Sequence, residues 1–417
     1  MDKLVITGNC KLNGEVEIHG AKNAALPILV ATILTDEDIL LQNIPDLRDI
    51  TTMIKVLEHL GKTIQRNGRE ILIKQTTAIK TEAPYDLVKQ MRASALVMGP
   101  LLTRYFHVKV SLPGGCAIGA RPINIHLDGF KHFGAAISLD KGYVRLKCAK
   151  LFGTKIVLDF PSVGATENLV MAATLAEGLT VLENVAKEPE IIDLCEFLNK
   201  MGAKIIGYGS DKIQIEGVRK LSGVEHKVIS DRIEAGTFMI AAALCAEEVL
   251  IKNIELKYLD FLTTKMQDSG VKIIEENGCL RVFGTSRIQP INIETLPYPG
   301  FPTDMQAQWV LYMTQADGAS LVTETVFENR FMHIPELERM GANLTINGHT
   351  VFVGGNSSLK GAPVMATDLR ASAALVLAAL IAEGETEIHR VYHLDRGYEN
   401  IEKKLQKLGA CIERLET

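Results

Sequence analysis

The chain has 417 residues, 47% of them hydrophobic and 23% charged, with a formal net charge of −5. That length predicts two domains with sizeable cores. The acidic balance, without any basic stripe or Lys/Arg run, argues against non-specific binding to nucleic acid or a membrane surface. The N-terminal Met-Asp-Lys-Leu-Val-Ile-Thr-Gly lacks the apolar core of a signal peptide. The longest apolar run, Ala373–Ala382, is half of the roughly 20 residues that cross a bilayer. The seven cysteines are scattered, odd in number and without a C-x-x-C pair, which predicts free thiols in a reducing cytoplasm.

Taken in order, the chain repeats one unit six times. A helix ending in Gly, followed by a short strand, recurs at Gly61, Gly134, Gly202, Gly270, Gly341 and Gly409, with spacings of 68 to 73 residues. Each glycine stands where a left-handed helix C-cap belongs. A second helix, apolar almost all round and therefore expected to be buried, precedes it at Ala24–Leu34, Ala95–Thr103, Asn168–Ala176, Thr237–Cys245, Ala307–Thr314 and Ala371–Ala382. Strands follow at Leu179–Glu183, Val249–Asn253 and Glu385–His389, for example. In the second unit, Phe106–Val110 runs into the Gly-rich stretch around Cys116. Each unit thus reads helix–strand–helix–strand–strand. The fold class is α/β: two inside-out α/β domains of three units each, 22–229 and 1–21 with 230–417. The strand Leu4–Thr7 is expected to complete the sheet of the last unit.

Unusual residues cluster at the head of the buried helices: Lys22-Asn23, Arg92, Ser162-Val163-Gly164-Ala165-Thr166, Asp231-Arg232, Asp304 and Asp368-Leu369-Arg370. Helix N-termini attract phosphates and carboxylates, and three per domain facing one cleft would suit a multiply charged anion. Ser, Thr and Asp at such places are also ordinary N-caps; Lys22, Arg92 and Arg370 are not, because cations oppose the helix dipole there. Residues 111–126 add a Pro-Gly-Gly-Cys loop, expected to be mobile, with Arg121 favouring the thiolate of Cys116. Glu188-Pro-Glu190 and Asp193 read as paired carboxylates or as a helix N-terminus. No P-loop, dinucleotide fingerprint, H-E-x-x-H or G-x-S-x-G occurs, and the histidines show no metal-ligand spacing.

The segments Gly20-Ala-Lys-Asn23, Met91-Arg-Ala-Ser94, Leu112–Pro122, Ser162–Thr166, Glu188–Glu190, Pro302–Gln306, Thr323–His333, Ala366–Ala371 and Leu394–Tyr398 together resemble the UDP-N-acetylglucosamine 1-carboxyvinyltransferases, enolpyruvyl transferases that begin peptidoglycan synthesis. The resemblance spans essentially the whole chain and carries the two-domain, three-repeat fold. It implies that Lys22, Arg121 and Arg396 hold the phosphate of phosphoenolpyruvate, with Asn23 nearby, and that Arg330 and Arg370 clamp its carboxylate. Cys116 would be the proton donor to C3, and Asp304 the base near the sugar 3′-hydroxyl. Asn23, Arg92, Arg121, Pro122, Ile123, Asn124, Ile125, Ser162, Val163, Gly164, Asp304 and Val326 would line the UDP-sugar site. At position 124 the family commonly has Asp; Asn keeps one acceptor and adds a donor. No cofactor and no metal are implied, and the partners are the two small-molecule substrates.

These residue types suit that chemistry. Phosphoenolpyruvate carries about three negative charges, so several Lys and Arg are required, and bidentate arginines also orient it. Two rival readings remain at this point. The sister enzymes acting on shikimate 3-phosphate share the fold but lack the Pro-Gly-Gly-Cys loop. A repeat-built binding protein without catalysis fits poorly with clustered cations in an acidic chain.

Overall fold

The structure, a computed structural model, describes residues 2–89, 91–111 and 123–416. Cys116, Arg121 and Pro122, with the rest of the Pro-Gly-Gly-Cys loop, lie outside the described residues. All six repeat glycines sit in the left-handed region, with φ between 94° and 116°, so each ends its helix as the sequence predicts.

Two compact units result, one of residues 2–19 with 230–416 and one of residues 20–111 with 123–229. In the second, the apolar helices Lys22–Ala31, Met98–Tyr105 and Val163–Ala173 lie in one core with Leu41, Val108, Leu182 and their strand neighbours. In the first, Arg232–Cys245, Gln306–Thr314 and Leu369–Ile381 do the same; every residue of Gln306–Thr314 is buried, including Trp309. A helix with no polar face leaves no side to turn outward, so the sheets form the outer layer.

Among the described residues there are six four-stranded sheets, three in each unit. One illustrates all. Leu179–Glu183 pairs antiparallel with Lys212–Glu216, which pairs antiparallel with Lys204–Ile206, while Lys155–Val157 adds a parallel edge. That parallel edge strand is a correction to the five-element reading, because each unit has one more strand than the sequence reveals. In five sheets the edge is only two or three residues long, as at Glu82–Ala83 and Ile293–Glu294, too short to show alternation.

Strands from distant parts of the chain close the sheets. Lys3–Thr7 lies between Glu385–His389 and Cys411–Leu415, antiparallel to both, and so completes the last unit as expected. Leu12–Glu17 pairs parallel with Ala246–Lys252, and Glu225–Lys227 with Ile39–Gln42.

The last strand of a unit ends against the tail of its buried helix. A Cβ added at Gly217 would stand 1.6 Å from the carbonyl oxygen of Ala176, and one at Gly8 would stand 1.8 Å from that of Ala382. Backbone cannot step aside as a side chain can. Gly217→Ala is therefore expected to lower the unfolding free energy by about 3 kcal/mol, the upper end of overpacking costs. An unchanged denaturant midpoint would contradict this close approach.

Candidate active site

In the unit of residues 20–229, Lys22 opens the helix Lys22–Ala31, whose N-cap, Ala21, supplies no side-chain bond. The ammonium of Lys22 lies 3.5 Å from the buried carboxylate of Asp49, in the first turn of Arg48–Leu60. A cation can stand at this helix N-terminus because Asp49 offsets both the dipole and the charge. Asn23 follows, half-buried. Arg92 begins the short turn Arg92–Val97.

Asn168 ties this unit's buried helices together from within. Its Oδ1 accepts from the Gly99 amide at 2.7 Å, and its Nδ2 donates to the Ala95 carbonyl at 3.0 Å. The same nitrogen lies 3.0 Å from Nδ1 of His126. Burial, aided by the charge of Arg92, pulls the pKa of His126 down to about 4, so the ring is neutral at physiological pH. Gly164 packs on this ring, where a Cβ would meet its Cε1 at 3.4 Å. Ser162 caps the helix Val163–Ala173 by accepting from the Ala165 amide at 3.4 Å. Ile123 is buried, Asn124 is exposed at the start of the helix Asn124–His132, and Ile125 is half-buried. Gly164 is thus brought beside His126, which follows Ile123–Ile125 in the chain and has no role in the sequence reading.

Thr166 is not a cap; it lies inside its helix and accepts from the Ala186 amide. Glu190 stands in the first turn of Pro189–Lys200, the N-terminal alternative for that motif. Burial, with Glu190 and Glu188 nearby, pushes Glu167 well above the ordinary carboxylate range. Asp193 accepts from His226 at 2.9 Å and from the Ile229 amide at 3.2 Å, and so ties its helix to the segment around Glu225–Lys227.

In the other unit, three of the expected residues meet. Arg330 Nη2 donates to Asp304 Oδ1 at 2.6 Å, and Arg370 donates to Oδ2 from Nη2 at 2.9 Å and Nε at 3.2 Å. Asp304 lies in the turn Thr303–Met305 that leads into Gln306–Thr314, and Arg370 in the first turn of Leu369–Ile381. Asp368 caps the latter, accepting from the amides of Arg370 and Ala371. Burial opposes the charge of Arg370, but Asp304, Tyr398 and Asp231 outweigh it and hold its pKa above the usual guanidinium value.

Residues that sequence reasoning missed hold these groups in place. Arg330 Nη1 donates to Thr303 Oγ1 at 2.7 Å, and Thr303 donates to Glu324 Oε2 at 2.8 Å. Glu324 also accepts from Thr295 and from the amides of Val326 and Phe327, which shapes the loop carrying Val326 and Arg330. The ring of Tyr398 lies under the Arg370 guanidinium, with its centroid 5.4 Å away. The Tyr398 hydroxyl meets Thr237 Oγ1 at 2.9 Å and Gln308 Nε2 at 3.1 Å, which joins two of the buried helices. Arg396 ends the turn Val391–Arg396 and is half-buried.

His333, three residues beyond Arg330, is wholly buried, and neither ring nitrogen has a hydrogen-bond partner among the described residues. Burial lowers its pKa to about 4 against the raising effect of Asp368, and the Arg330 charge lowers it further. The folded state therefore binds fewer protons than the unfolded state between pH of about 4 and 6.5. His333 contributes stability that is fully present above that window and is lost as the pH falls through it, up to about 3 kcal/mol. His333→Phe should flatten the fall of Tm between pH 7 and pH 5; equal slopes for the two proteins would contradict a buried neutral imidazole.

The six described cysteines are free thiols. Burial pushes Cys195 far above the ordinary thiol range and Cys245 to about 12. Among the described residues no group of His, Cys, Asp or Glu gathers to hold a metal ion, and no helix is long and apolar enough to cross a membrane.

The fold is one of two three-repeat units, with Lys22, Asp304 and Arg370 at or just before the heads of buried helices. The profile of EPSP synthase (3-phosphoshikimate 1-carboxyvinyltransferase) matches residues 6–405, and the chain belongs to that family. Its relatives include the UDP-N-acetylglucosamine 1-carboxyvinyltransferase of Geobacter metallireducens, 57% identical over 415 residues, with 100% of each chain covered. The protein of that name from Geotalea daltonii is 56% identical over 416 residues, again with 100% of each covered. Among solved structures, the enolpyruvyl transferase NikO from Streptomyces tendae superposes with a TM-score of 0.91 over 100% of this chain and 99% of its own, at 24% identity. EPSP synthase from Acinetobacter baumannii gives a TM-score of 0.81 at 18% identity, covering 100% of both chains. These last two share the fold.

Proposed function

We propose that this protein transfers the enolpyruvyl group of phosphoenolpyruvate to the 3′-hydroxyl of UDP-N-acetylglucosamine, with release of phosphate. The observation that carries this reading is the convergence of Arg330 and Arg370 on Asp304 at the heads of two buried helices. It puts a carboxylate able to take a proton beside two guanidiniums able to hold a carboxylate substrate. The whole-length likeness to enzymes named for this reaction supports the choice of acceptor.

In this reading the 3′-oxygen adds to C2 of phosphoenolpyruvate, its proton passes to Asp304, and Cys116 gives a proton to C3. C3 then returns a proton as the C2–O bond to phosphate breaks, leaving the enolpyruvyl ether and free phosphate. A thiol with an ordinary pKa of about 8.5 still carries its proton at neutral pH. Arg121 lowers that value, and the negative charge of the bound substrates raises it back. Lys22, Arg121 and Arg396 hold the phosphate, with Asn23 beside it, and Arg330 and Arg370 hold the carboxylate. Arg92, Pro122, Ile123, Asn124, Ile125, Ser162, Val163, Gly164 and Val326 receive the UDP-sugar.

We assign the domains as 22–229 and 1–21 with 230–417. The protein works in the cytoplasm, as its free thiols suit, and serves the first committed step of peptidoglycan synthesis. Product analysis tests the reaction. Incubation with both substrates should give a UDP-sugar carrying an enolpyruvyl ether at O3′, identified by its vinyl protons in NMR. An unmodified sugar, or a product formed from shikimate 3-phosphate instead, would reject this reading.

A further inference from the structure

The guanidiniums assigned to the substrate carboxylate already hold a carboxylate, that of Asp304. We propose that Asp304 and the carboxylate of phosphoenolpyruvate compete for the Arg330–Arg370 pair, so that arrival of the second substrate releases Asp304 to act as the base. This inference rests on the reaction proposed above and adds a coupling between substrate binding and activation of the base.

The geometry favours one direction of exchange. Arg330 and Arg370 are buried, with side chains 6% and 4% exposed, whereas that of Asp304 is 25% exposed. Thr303 and Glu324 anchor Arg330 from behind, and the Tyr398 ring supports Arg370. The guanidiniums are thus fixed, and Asp304 is the partner able to withdraw.

Arg370 also offers the newcomer a bond that Asp304 does not use. Its Nε–Nη2 edge is taken by Asp304, while Nη1 is buried without a close hydrogen-bond partner among the described residues, the Tyr398 hydroxyl interacting with the guanidinium more weakly. A buried donor left unpaired costs free energy that an incoming acceptor recovers. As Asp304 moves off, a substrate carboxylate can take Nη2 together with Nη1, completing the two-point grip that guanidinium and carboxylate favour. While Asp304 accepts three hydrogen bonds from the two arginines, both of its oxygens are held by guanidiniums that stabilise its charged form. Once displaced, an oxygen is available for the sugar hydroxyl proton. A carboxylate released only when the acceptor's reaction partner is present wastes no encounter on deprotonation alone.

The test compares phosphoenolpyruvate with vinyl phosphate, which lacks the carboxylate. Titration calorimetry in the presence of 3′-deoxy-UDP-N-acetylglucosamine, which has no attacking oxygen, reads binding without turnover. If Asp304 holds the pair in nine molecules of ten, Asp304→Asn should tighten phosphoenolpyruvate about tenfold. Vinyl phosphate should change less than about twofold, because it does not need the pair. Equal tightening of both ligands would indicate a bulk charge effect and overturn the proposal, as would unchanged or weaker binding of phosphoenolpyruvate.

A measurement on the unmutated protein covers a variant that fails to fold. With aspartate carboxyl carbons labelled with carbon-13, phosphoenolpyruvate should shift one aspartate carboxyl resonance that vinyl phosphate leaves in place. Phosphoenolpyruvate that binds with no such shift overturns the competition alone. Wild-type protein that binds neither ligand overturns the functional reading and this proposal with it.

Discussion

Asp304→Asn is expected to lower kcat by roughly two to four orders of magnitude, the range for loss of a general base. The amide keeps the shape of the carboxylate and one acceptor oxygen, but it cannot take the proton of the 3′-hydroxyl. Arg330 and Arg370 would then face a neutral oxygen where each now has an ion pair, at 2.6 Å and 2.9 Å. Their anchors, Thr303 and Tyr398, remain, so the arginines should keep their positions. UDP-sugar affinity should fall far less than kcat. Steady-state kinetics together with equilibrium binding of the UDP-sugar separates the two effects. Near-native turnover would show that Asp304 positions substrate and takes no proton.

The second large effect concerns Cys116. In its proposed role of proton donor to C3, it can be replaced by another acid but not by an alcohol. Cys116→Ser should be nearly inactive, because a serine hydroxyl is far too weak an acid. Cys116→Asp should retain turnover with its activity shifted to lower pH, since an aspartic acid titrates at about 4 unless its neighbours raise it. The same substitution separates acid from nucleophile. An epoxide phosphonate of the fosfomycin type should alkylate the wild-type thiol and spare Cys116→Asp, because a carboxylate is a poor nucleophile towards that epoxide. Burial holds the thiols of Cys195 and Cys245 in the protonated form, so they should not compete for the reagent. The profile of kcat/KM against pH for the three proteins, with mass spectrometry after epoxide treatment, decides. Wild-type turnover by Cys116→Ser, or an adduct on another thiol, would remove Cys116 from the role of acid.

Much of the architecture is legible in the sequence because two signals recur. A glycine after each outer helix marks a left-handed cap, and all six adopt it. An apolar run with no polar face marks each inner helix, and the structure buries them. Five of the parallel edge strands are illegible for the opposite reason: two or three residues carry no period. Distance along the chain hides the polar interior. Thr237, Gln308 and Tyr398 come from different repeats, and no local pattern announces that they meet.

The site shows a similar division. Lys22, Asp304 and Arg370 stand out in the sequence as charges at or just before the heads of apolar helices, whereas Arg330 enters only through the family resemblance. It does not reveal that Asp304 bridges the two arginines, nor that Asp49 stands against Lys22. His126 and His333 carry no ligand spacing or catalytic motif. Their importance lies in burial, which only the packed structure supplies.

The most direct test of the proposed reaction is phosphate release from phosphoenolpyruvate by the purified protein, with the acceptor as the variable. Release that requires UDP-N-acetylglucosamine, and is absent with shikimate 3-phosphate or with no acceptor, is the predicted result. Release that proceeds without UDP-N-acetylglucosamine, or that responds to shikimate 3-phosphate in its place, would contradict it.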